Sequence, residues 1–175
     1  MKIAIVGAHR STKLQAPYED RDWQIWTCSP SNESELPRHD AWFEIHEMND
    51  AIIAQRQGPV YREWLKAQPV VYMMELYPEY GGAVKYPLEE VESAFGRYFL
   101  TSSISFMMAL AIMKKPEKIG LWGISDCPEY REQKSGILYF VQRAKECNID
   151  IIAPEFLLKP EPLYGSTMWR ERQTA

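Results

Sequence analysis

Short runs of apolar residues recur along the chain, separated by polar stretches or by stretches with apolar residues at helical spacing. Runs that predict strands cover residues 2–7, 23–28, 41–46, 69–73, 118–123 and 149–153. Because these strands are almost wholly apolar and helices separate several of them, they predict a mostly parallel sheet covered on both faces. The expected fold is therefore α/β, a Rossmann-like three-layer arrangement around about six strands.

The strongest helix signal covers residues 104–114. Hydroxyl residues at 101–103 provide a cap before it, and two lysines and a proline at 114–116 provide a basic last turn and a stop. Other patterns predict helices over 50–57, 59–67, 87–92 and 129–148, and a loop over 77–86. Only about a dozen residues separate the second and third strands, without a clear helix between them.

Composition fits a single domain, since 175 residues of which 46% are hydrophobic can bury one core. We expect that domain to cover residues 1–165, with a C-terminal tail over 166–175. The net charge of −4 makes duplex DNA an unfavourable partner. The longest apolar run is too short for a membrane span, no cleavage-site pattern follows the first strand, and the three cysteines are widely spaced. These features predict a cytoplasmic protein with reduced thiols and no membrane partner.

Ligands of such sheets bind at the carboxyl ends of the strands, near the point where strand order reverses. Small or polar residues follow several predicted strands, and hydroxyl residues begin the helix at 104–114, whose first amides favour an anion. We expect Arg10 and Lys134 to neutralise a bound phosphate. The predicted ligand-binding residues are Gly7, Ala8, Arg10, Ser11, Thr27, Ser29, Thr101, Ser102, Ser103, Gly123, Glu129 and Tyr130.

Candidate catalytic residues are His46, His9 and Asp126. His46 ends a predicted strand and His9 follows another, so either could act as general base, while Asp126, with Glu129, could orient Mg²⁺ or a sugar hydroxyl. Structural interpretations stay open at each position: a plain tight turn at Gly7, a simple helix cap at 101–103, a hydrogen-bonded histidine at 46, and acidic residues that merely favour a helix start.

A recognisable combination of features follows residue 98. Hydroxyl residues at 101–103 precede an apolar helix, a strand ends in Gly123 and Ile124, and the polar stretch 129–136 comes next. With residues 42–46 and 163–165, this combination resembles a set of small proteins common in tailed-phage and prophage genomes, over most of the chain. The helix-strand part is also similar to archaeal-type hydroxymethylpterin pyrophosphokinases and, more distantly, to bacterial sialyltransferases. That pattern places Asp directly after Gly-Ile, whereas Ser125 stands here and Asp126 follows.

The resemblance implies a nucleotide-like ligand and, for a phage protein, a location in the cytoplasm of a bacterial host. We expect a nucleotide- or nucleotide-sugar-binding accessory protein, a transferase acting on a phosphoryl or glycosyl bond. The alternative is a non-catalytic binder that sequesters a small nucleotide or docks on a host protein. A third hypothesis, an enzyme that alters DNA bases or their precursors, is disfavoured for duplex DNA by the acidic net charge. Self-association into a homo-oligomer stays open as well.

Overall fold

A parallel sheet of seven strands forms the centre of the computed structural model, which describes residues 1–127, 131–158 and 165–167. The strands are β1 Lys2–Val6, β2 Trp23–Cys28, β3 Ala41–Glu44, β4 Val71–Met73, β5 Ala83–Lys85, β6 Lys118–Trp122 and β7 Asp150–Ile152. Their order is β5-β4-β3-β2-β1-β6-β7, and every neighbouring pair is parallel. The predicted α/β, Rossmann-like fold is confirmed, with seven strands instead of about six.

The helices are α1 Ala51–Gln57, α2 Pro59–Lys66, α3 Leu88–Phe95, α4 Ser103–Met113, α5 Arg131–Glu146 and α6 Glu155–Leu158. In place of a full helix, one 3₁₀ turn follows β1 (Lys13–Gln15) and another follows β2 (Pro30–Asn32), consistent with the missing helix signal there. Within the described ranges, no helix is long and apolar enough to cross a membrane.

Strand alternation distributes the apolar side chains over both faces of the sheet. In β1, Ile3 and Ile5 join the large core beneath α3, α4 and α5, while Ala4 and Val6 join a smaller cluster on the opposite face. Trp42 of β3 packs on that opposite face in a further cluster with residues of α2. The two-sided burial explains why these strands read as continuous apolar runs.

Helix α4 lies at the centre of the large core and is buried on all sides, as its uniformly apolar sequence predicts. A capping box begins it: the Ser102 hydroxyl accepts from the Ser105 amide at 3.2 Å, and the Ser102 amide donates to the Ser105 hydroxyl at 3.0 Å. This pair of hydrogen bonds fixes the direction in which the first amides of α4 point.

The strand order reverses at β1, because the chain builds β2 to β5 on one side of it and β6 and β7 on the other. The chain therefore leads from β1 and from β6 towards opposite edges of the sheet, while the two strands stay adjacent. A crevice opens at such a switch point, at the carboxyl ends of the strands.

Besides shifts of a few residues at other element ends, two differences from the expectation lie near the carboxyl ends of the strands. Residues 77–86 are not entirely a loop, because Ala83–Lys85 pair with β4 as edge strand β5. This strand has three residues and is partly exposed, so no buried apolar run signals it. The pairing begins at Gly82, whose carbonyl accepts from the Val71 amide at 2.9 Å. A Cβ on Gly82 would lie 2.0 Å from the Gln68 carbonyl oxygen. The second difference is that β3 ends at Glu44, so His46 lies two residues beyond the strand.

Candidate functional site

A cavity of about 340 Å³ lies at the switch point, between the loops after β1, β2, β3 and β6 and the first turn of α4. Its volume is in the range of small-molecule sites. Of the residues predicted from the sequence, those that line it are Gly7, Ala8, Ser29, His46, Thr101, Ser102, Ser103 and Gly123. The structure thus brings together residues from five separate segments of the chain.

Several predicted residues lie elsewhere. The His9 ring is bonded to the Ser11 hydroxyl at 2.8 Å, and neither residue lines the cavity. Arg10 extends into solvent, where its guanidinium lies 3.5 Å from the Glu35 carboxylate. The structure therefore does not place Arg10 against a phosphate in this cavity.

Thr27 and Asp126 also lie outside the cavity lining. The Thr27 hydroxyl is fully buried and donates to the Val6 carbonyl at 2.8 Å, so its hydrogen bonds join β1 to β2. The Asp126 carboxylate pairs with the Lys134 ammonium at 3.0 Å. The remaining two predicted residues, Glu129 and Tyr130, are outside the described residues.

Gly7 and Gly123 lie where the backbones of the loops that follow β1 and β6 approach each other. A Cβ on Gly7 would lie 2.4 Å from the Gly123 carbonyl oxygen, and a Cβ on Gly123 would lie 2.3 Å from the Gly7 carbonyl oxygen. Gly123 also has φ +64, which L side chains rarely adopt. The amide of His9 donates to the Gly123 carbonyl at 2.9 Å and completes the junction. Glycine at both positions is thus a requirement of the backbone.

A buried polar network, missed by sequence reasoning, supports this junction from below. The Lys13 side chain is 1% exposed, and its ammonium donates to Asn32 at 3.0 Å and lies 2.6 Å from the Glu35 carboxylate. The Asn32 amide in turn donates to the Gly7 carbonyl at 3.2 Å. The hydrogen bond from Lys13 holds the pKa of Glu35 below its usual value. A lone lysine in a polar stretch gave no signal of this role.

The first turn of α4 contributes hydroxyls and amides to the cavity. Ser102 caps the helix, and the Ser103 and Ile104 amides that follow have no helical carbonyl before them to bond. The Thr101 hydroxyl donates to the Gln133 carbonyl at 3.2 Å and ties this turn to α5. The expectation of a cap is confirmed, and the same turn faces the cavity.

Helix α5 supplies a positive charge. Lys134 lines the cavity, and its ammonium lies 5.6 Å from the centre of the Phe156 ring as well as against Asp126. Of the two counter-charges expected from the sequence, Lys134 is therefore the one at the site. The other lining residues were not among the predicted site residues: Cys28, Ile104, Ile124, Ser125, Gln133, Ile137, Phe156 and Leu157.

His46 has a buried partner that sequence reasoning missed. Its Nδ1 lies 2.5 Å from Oε1 of Glu44, the last residue of β3. The imidazole is half exposed and lines the cavity, whereas the carboxylate is almost fully buried. This hydrogen bond raises the pKa of His46 above its usual value. The only available signal was a glutamate two residues before the histidine, at the end of a strand.

Ser29, which also lines the cavity, has φ +82, a conformation that is uncommon outside glycine. Its hydroxyl lies 3.1 Å from that of Ser31. Non-glycine residues with strained backbones cluster at functional sites. The unusual backbone conformation of Ser29 is therefore a second indication that this cavity is a functional site.

The described residues contain no group of three or more His, Cys, Asp or Glu side chains that could hold a metal ion. Asp126 is described, and its known partner is Lys134. A magnesium site that draws on Asp126 and Glu129 stays a prediction, because Glu129 lies outside the described residues.

A second, wider groove of about 920 Å³ lies at the carboxyl ends of β3, β4 and β5. The loop 45–47 separates it from the first cavity: Ile45 and Glu47 line the groove, and His46 lines the cavity. Tyr77 and Tyr86 contribute aromatic surface to the groove. His46 thus stands at the boundary between two concave surfaces.

The Cys28 thiol in the cavity wall is expected to be unreactive. Burial raises its pKa to about 12, with a smaller contribution from the Glu44 carboxylate, so it stays protonated at pH 8. Iodoacetamide at pH 8 should alkylate the exposed Cys147 and leave Cys28 unmodified until the protein is unfolded. Mass spectrometry of the digested protein measures both, and rapid modification of Cys28 in the native state would contradict the buried environment.

Transferases with the same fold are found among solved structures. Sialyltransferase CstII from Campylobacter jejuni, in complex with the substrate analogue cytidine-5'-monophosphate, matches with a TM-score of 0.58 and 16% identity, over 87% of this chain and 78% of that one. The same enzyme with a trisaccharide acceptor and CMP gives a TM-score of 0.58 and 14% identity, over 87% and 80%.

Thiamine pyrophosphokinase from Bacillus subtilis matches with a TM-score of 0.54 and 13% identity, over 88% of this chain and 60% of that one. At these identities the similarity shows the fold alone. No protein-family model matches the chain, and no curated protein matches it. The resemblance to phage and prophage proteins therefore stays a prediction.

Proposed function

We propose that the protein binds a nucleotide or nucleotide-sugar in the 340 Å³ cavity and transfers a phosphoryl or glycosyl group from it. One observation carries the proposal: a helix N-terminus, an ammonium group and a carboxylate-bonded histidine face the same cavity at the switch point of a parallel sheet. Structural neighbours that are transferases support it at the level of the fold.

The phosphates of the ligand would lie against the first turn of α4. Its leading amides and the Ser102 and Ser103 hydroxyls can donate to phosphate oxygens, and the helix dipole favours negative charge there. Lys134 adds a positive charge from α5, which its ion pair with Asp126 partly offsets. The same groups would stabilise the charge that develops on the leaving phosphate during transfer.

His46 is suited to act as general base. An acceptor hydroxyl would give its proton to the imidazole while its oxygen attacks the phosphorus or the anomeric carbon of the donor, and the bond to the nucleotide phosphate would break. The nucleotide then leaves with the electron pair of that bond. The base works only when His46 is neutral, so its raised pKa predicts that turnover increases as the pH rises through that pKa.

The acceptor would approach from the second groove. The loop 45–47 is a shared wall: Ile45 and Glu47 line the groove, whereas His46 lines the cavity. An acceptor held in the groove would therefore have to extend its hydroxyl past this loop into the cavity to reach His46. Glu47, Glu75, Glu89 and Glu90 against Lys85 make this groove acidic, which favours an uncharged or cationic hydroxyl compound over an anionic one. The anionic donor would then bind in the cavity and the uncharged or cationic acceptor in the groove, on opposite sides of the loop 45–47.

Thermal unfolding in the presence of ligands tests the binding half of this proposal. The purified protein is screened with cytidine-5'-monophosphate, nucleoside di- and triphosphates, nucleotide-sugars and pterins, with and without Mg²⁺. A ligand at 100 times its dissociation constant should add about 2.7 kcal/mol, or roughly 5 to 10 °C in the unfolding midpoint. A midpoint that rises only when Mg²⁺ is present would support the predicted metal site.

Lys134→Met should weaken binding of any phosphate-bearing hit by about tenfold or more, because a charged hydrogen bond is lost. Lys145→Met, an exposed position on the same helix outside the cavity, is the matched control and should bind like the wild type. Equal affinities of the two variants would place the ligand elsewhere. A screen without any shift up to millimolar concentration would count against a nucleotide ligand.

A further inference from the structure

Glu44 is a buried carboxylate whose two oxygens both have partners. Oε1 bonds to the His46 ring at 2.5 Å, and Oε2 accepts from the Tyr61 hydroxyl at 2.7 Å. The Tyr61 hydroxyl accepts in turn from the Trp42 indole N–H at 2.8 Å. Trp42, Tyr61 and Glu44 are all nearly inaccessible to solvent, so this hydrogen-bonded chain runs from the core to the half-exposed His46.

The donors around Glu44 fit an ionised carboxylate. Tyr61 can only donate to it while the phenol is protonated, and burial raises the pKa of Tyr61 far above neutral pH. Trp42 can only donate, which leaves the Tyr61 proton directed to Glu44. A buried carboxylate is costly unless its oxygens are bonded, and its one partner at the surface of the cavity is His46.

We infer that Glu44 is the positioning residue for His46 and that it holds the imidazole with its proton on Nδ1 and with Nε2 available to the cavity. Tyr61, fixed by Trp42, holds the carboxylate in turn. The use of His46 as a base rests on the proposed function, but the arrangement of the ring does not. A histidine that donates from one nitrogen to a carboxylate keeps the other as acceptor and becomes more basic.

Other charges act on this group and bear on any titration. Arg56 opposes the effect of Glu44 on His46. Cys28 and Tyr80 are near enough for Glu44 to raise their pKa values, and both stay neutral over the range in which histidine titrates. Glu44 is therefore the nearby group whose removal changes the charge beside His46 in the required direction.

The test is a histidine NMR titration that needs no substrate. The ¹⁵N shifts of the wild-type His46 ring should show the Nδ1–H tautomer. Glu44→Gln should lower the pKa of His46 by about one pH unit and mix the two tautomers. His9 is the internal control, since its ring bonds to Ser11 and, within the described residues, makes no hydrogen bond to Glu44, so its ring resonances should be the same in both proteins. An unaltered His46 titration in a folded Glu44→Gln protein would overturn the inference.

Tyr61→Phe is the second variant, in case Glu44→Gln fails to fold. It removes the hydroxyl donor to Oε2 and keeps both the aromatic packing and the Glu44 side chain. We expect a measurable change in the pKa of His46 and in the ¹⁵N shifts that report its tautomer. A Tyr61→Phe spectrum identical to that of the wild type would show that the hydroxyl does not hold the carboxylate.

With a donor from the ligand screen, the pH dependence of kcat separates this inference from the proposed function. In Glu44→Gln the rise of kcat with pH should move to lower pH and the maximum should fall about tenfold or more, with KM little changed. If the NMR result holds and no donor turns over, the positioning role stands and the transferase proposal fails. If turnover occurs with the same pH profile in both proteins, the positioning role fails instead.

Discussion

Replacement of His46 by alanine is expected to lower turnover by about 10² to 10⁴-fold and to leave donor affinity within a few-fold of the wild type. The phosphate contacts that we propose come from the first turn of α4 and from Lys134, which this substitution leaves in place. Loss of the base would therefore appear in kcat and not in binding. Steady-state kinetics and a thermal-shift titration with the same donor measure the two effects separately.

His9→Ala separates the two histidines that the sequence could not distinguish. The His9 ring bonds to Ser11 outside the cavity, so this variant should keep both turnover and donor affinity. A large loss of kcat in His9→Ala, with His46→Ala active, would exchange their roles. Recovery of the donor unchanged after hours with the wild-type protein would favour the non-catalytic binder.

Most of the fold could be predicted because it depends on patterns that are local in the sequence. The strands β1, β2 and β6 are apolar on both faces, and α4 combines a hydroxyl cap, an apolar body and a basic end. Each of these signals survives in the structure because burial in a two-faced sheet requires it. Strand β5 was not predicted, because three residues at the edge of a sheet can pair through their backbones without an apolar pattern.

The residues that line the candidate site could be predicted in part, whereas the partners that set their chemistry could not. Gly7, Gly123 and the hydroxyl step before α4 lie where the carboxyl-end rule places them. The partners that give the site its chemistry come from distant positions: Tyr61 reaches Glu44 from α2, and Lys13 reaches Asn32 across the loop after β2. Such pairs depend on register and loop geometry, which residue spacing does not specify. Of the two possible counter-charges, the sequence favoured Arg10 as the phosphate ligand, but the fold places Arg10 in solvent and Lys134 at the cavity.

The chemistry proposed for the cavity requires that its parts do not move relative to one another. The junction of Gly7 with Gly123 joins the two central loops, the network of Lys13 and Asn32 supports it, and the link from Thr101 to Gln133 joins α4 to α5. A base and a phosphate-binding turn act together only at a fixed separation. In the glycine pair the two backbones leave no room for a Cβ on either residue.

Gly123→Ala is accordingly expected to cost about 3 kcal/mol of the free energy of unfolding or more, because it combines an unfavourable φ with a backbone overlap. A fall of about 6 to 12 °C in the unfolding midpoint would correspond to that loss. Gly7→Ala introduces the overlap with the Gly123 carbonyl without a positive φ and should cost less.

Two further glycines isolate the separate contributions. Gly96 has φ +73 and ψ 170, a conformation that is essentially restricted to glycine, with open space around a Cβ, so Gly96→Ala should cost about 1 to 3 kcal/mol. Gly81 has open space and no positive φ, so Gly81→Ala should lie within about 0.5 kcal/mol of the wild type. Chemical denaturation of the four variants gives the comparison. If Gly123→Ala were no less stable than Gly96→Ala, the two loops would not be in backbone contact, and the cavity would lack the rigid junction on which positioning of donor and base depends.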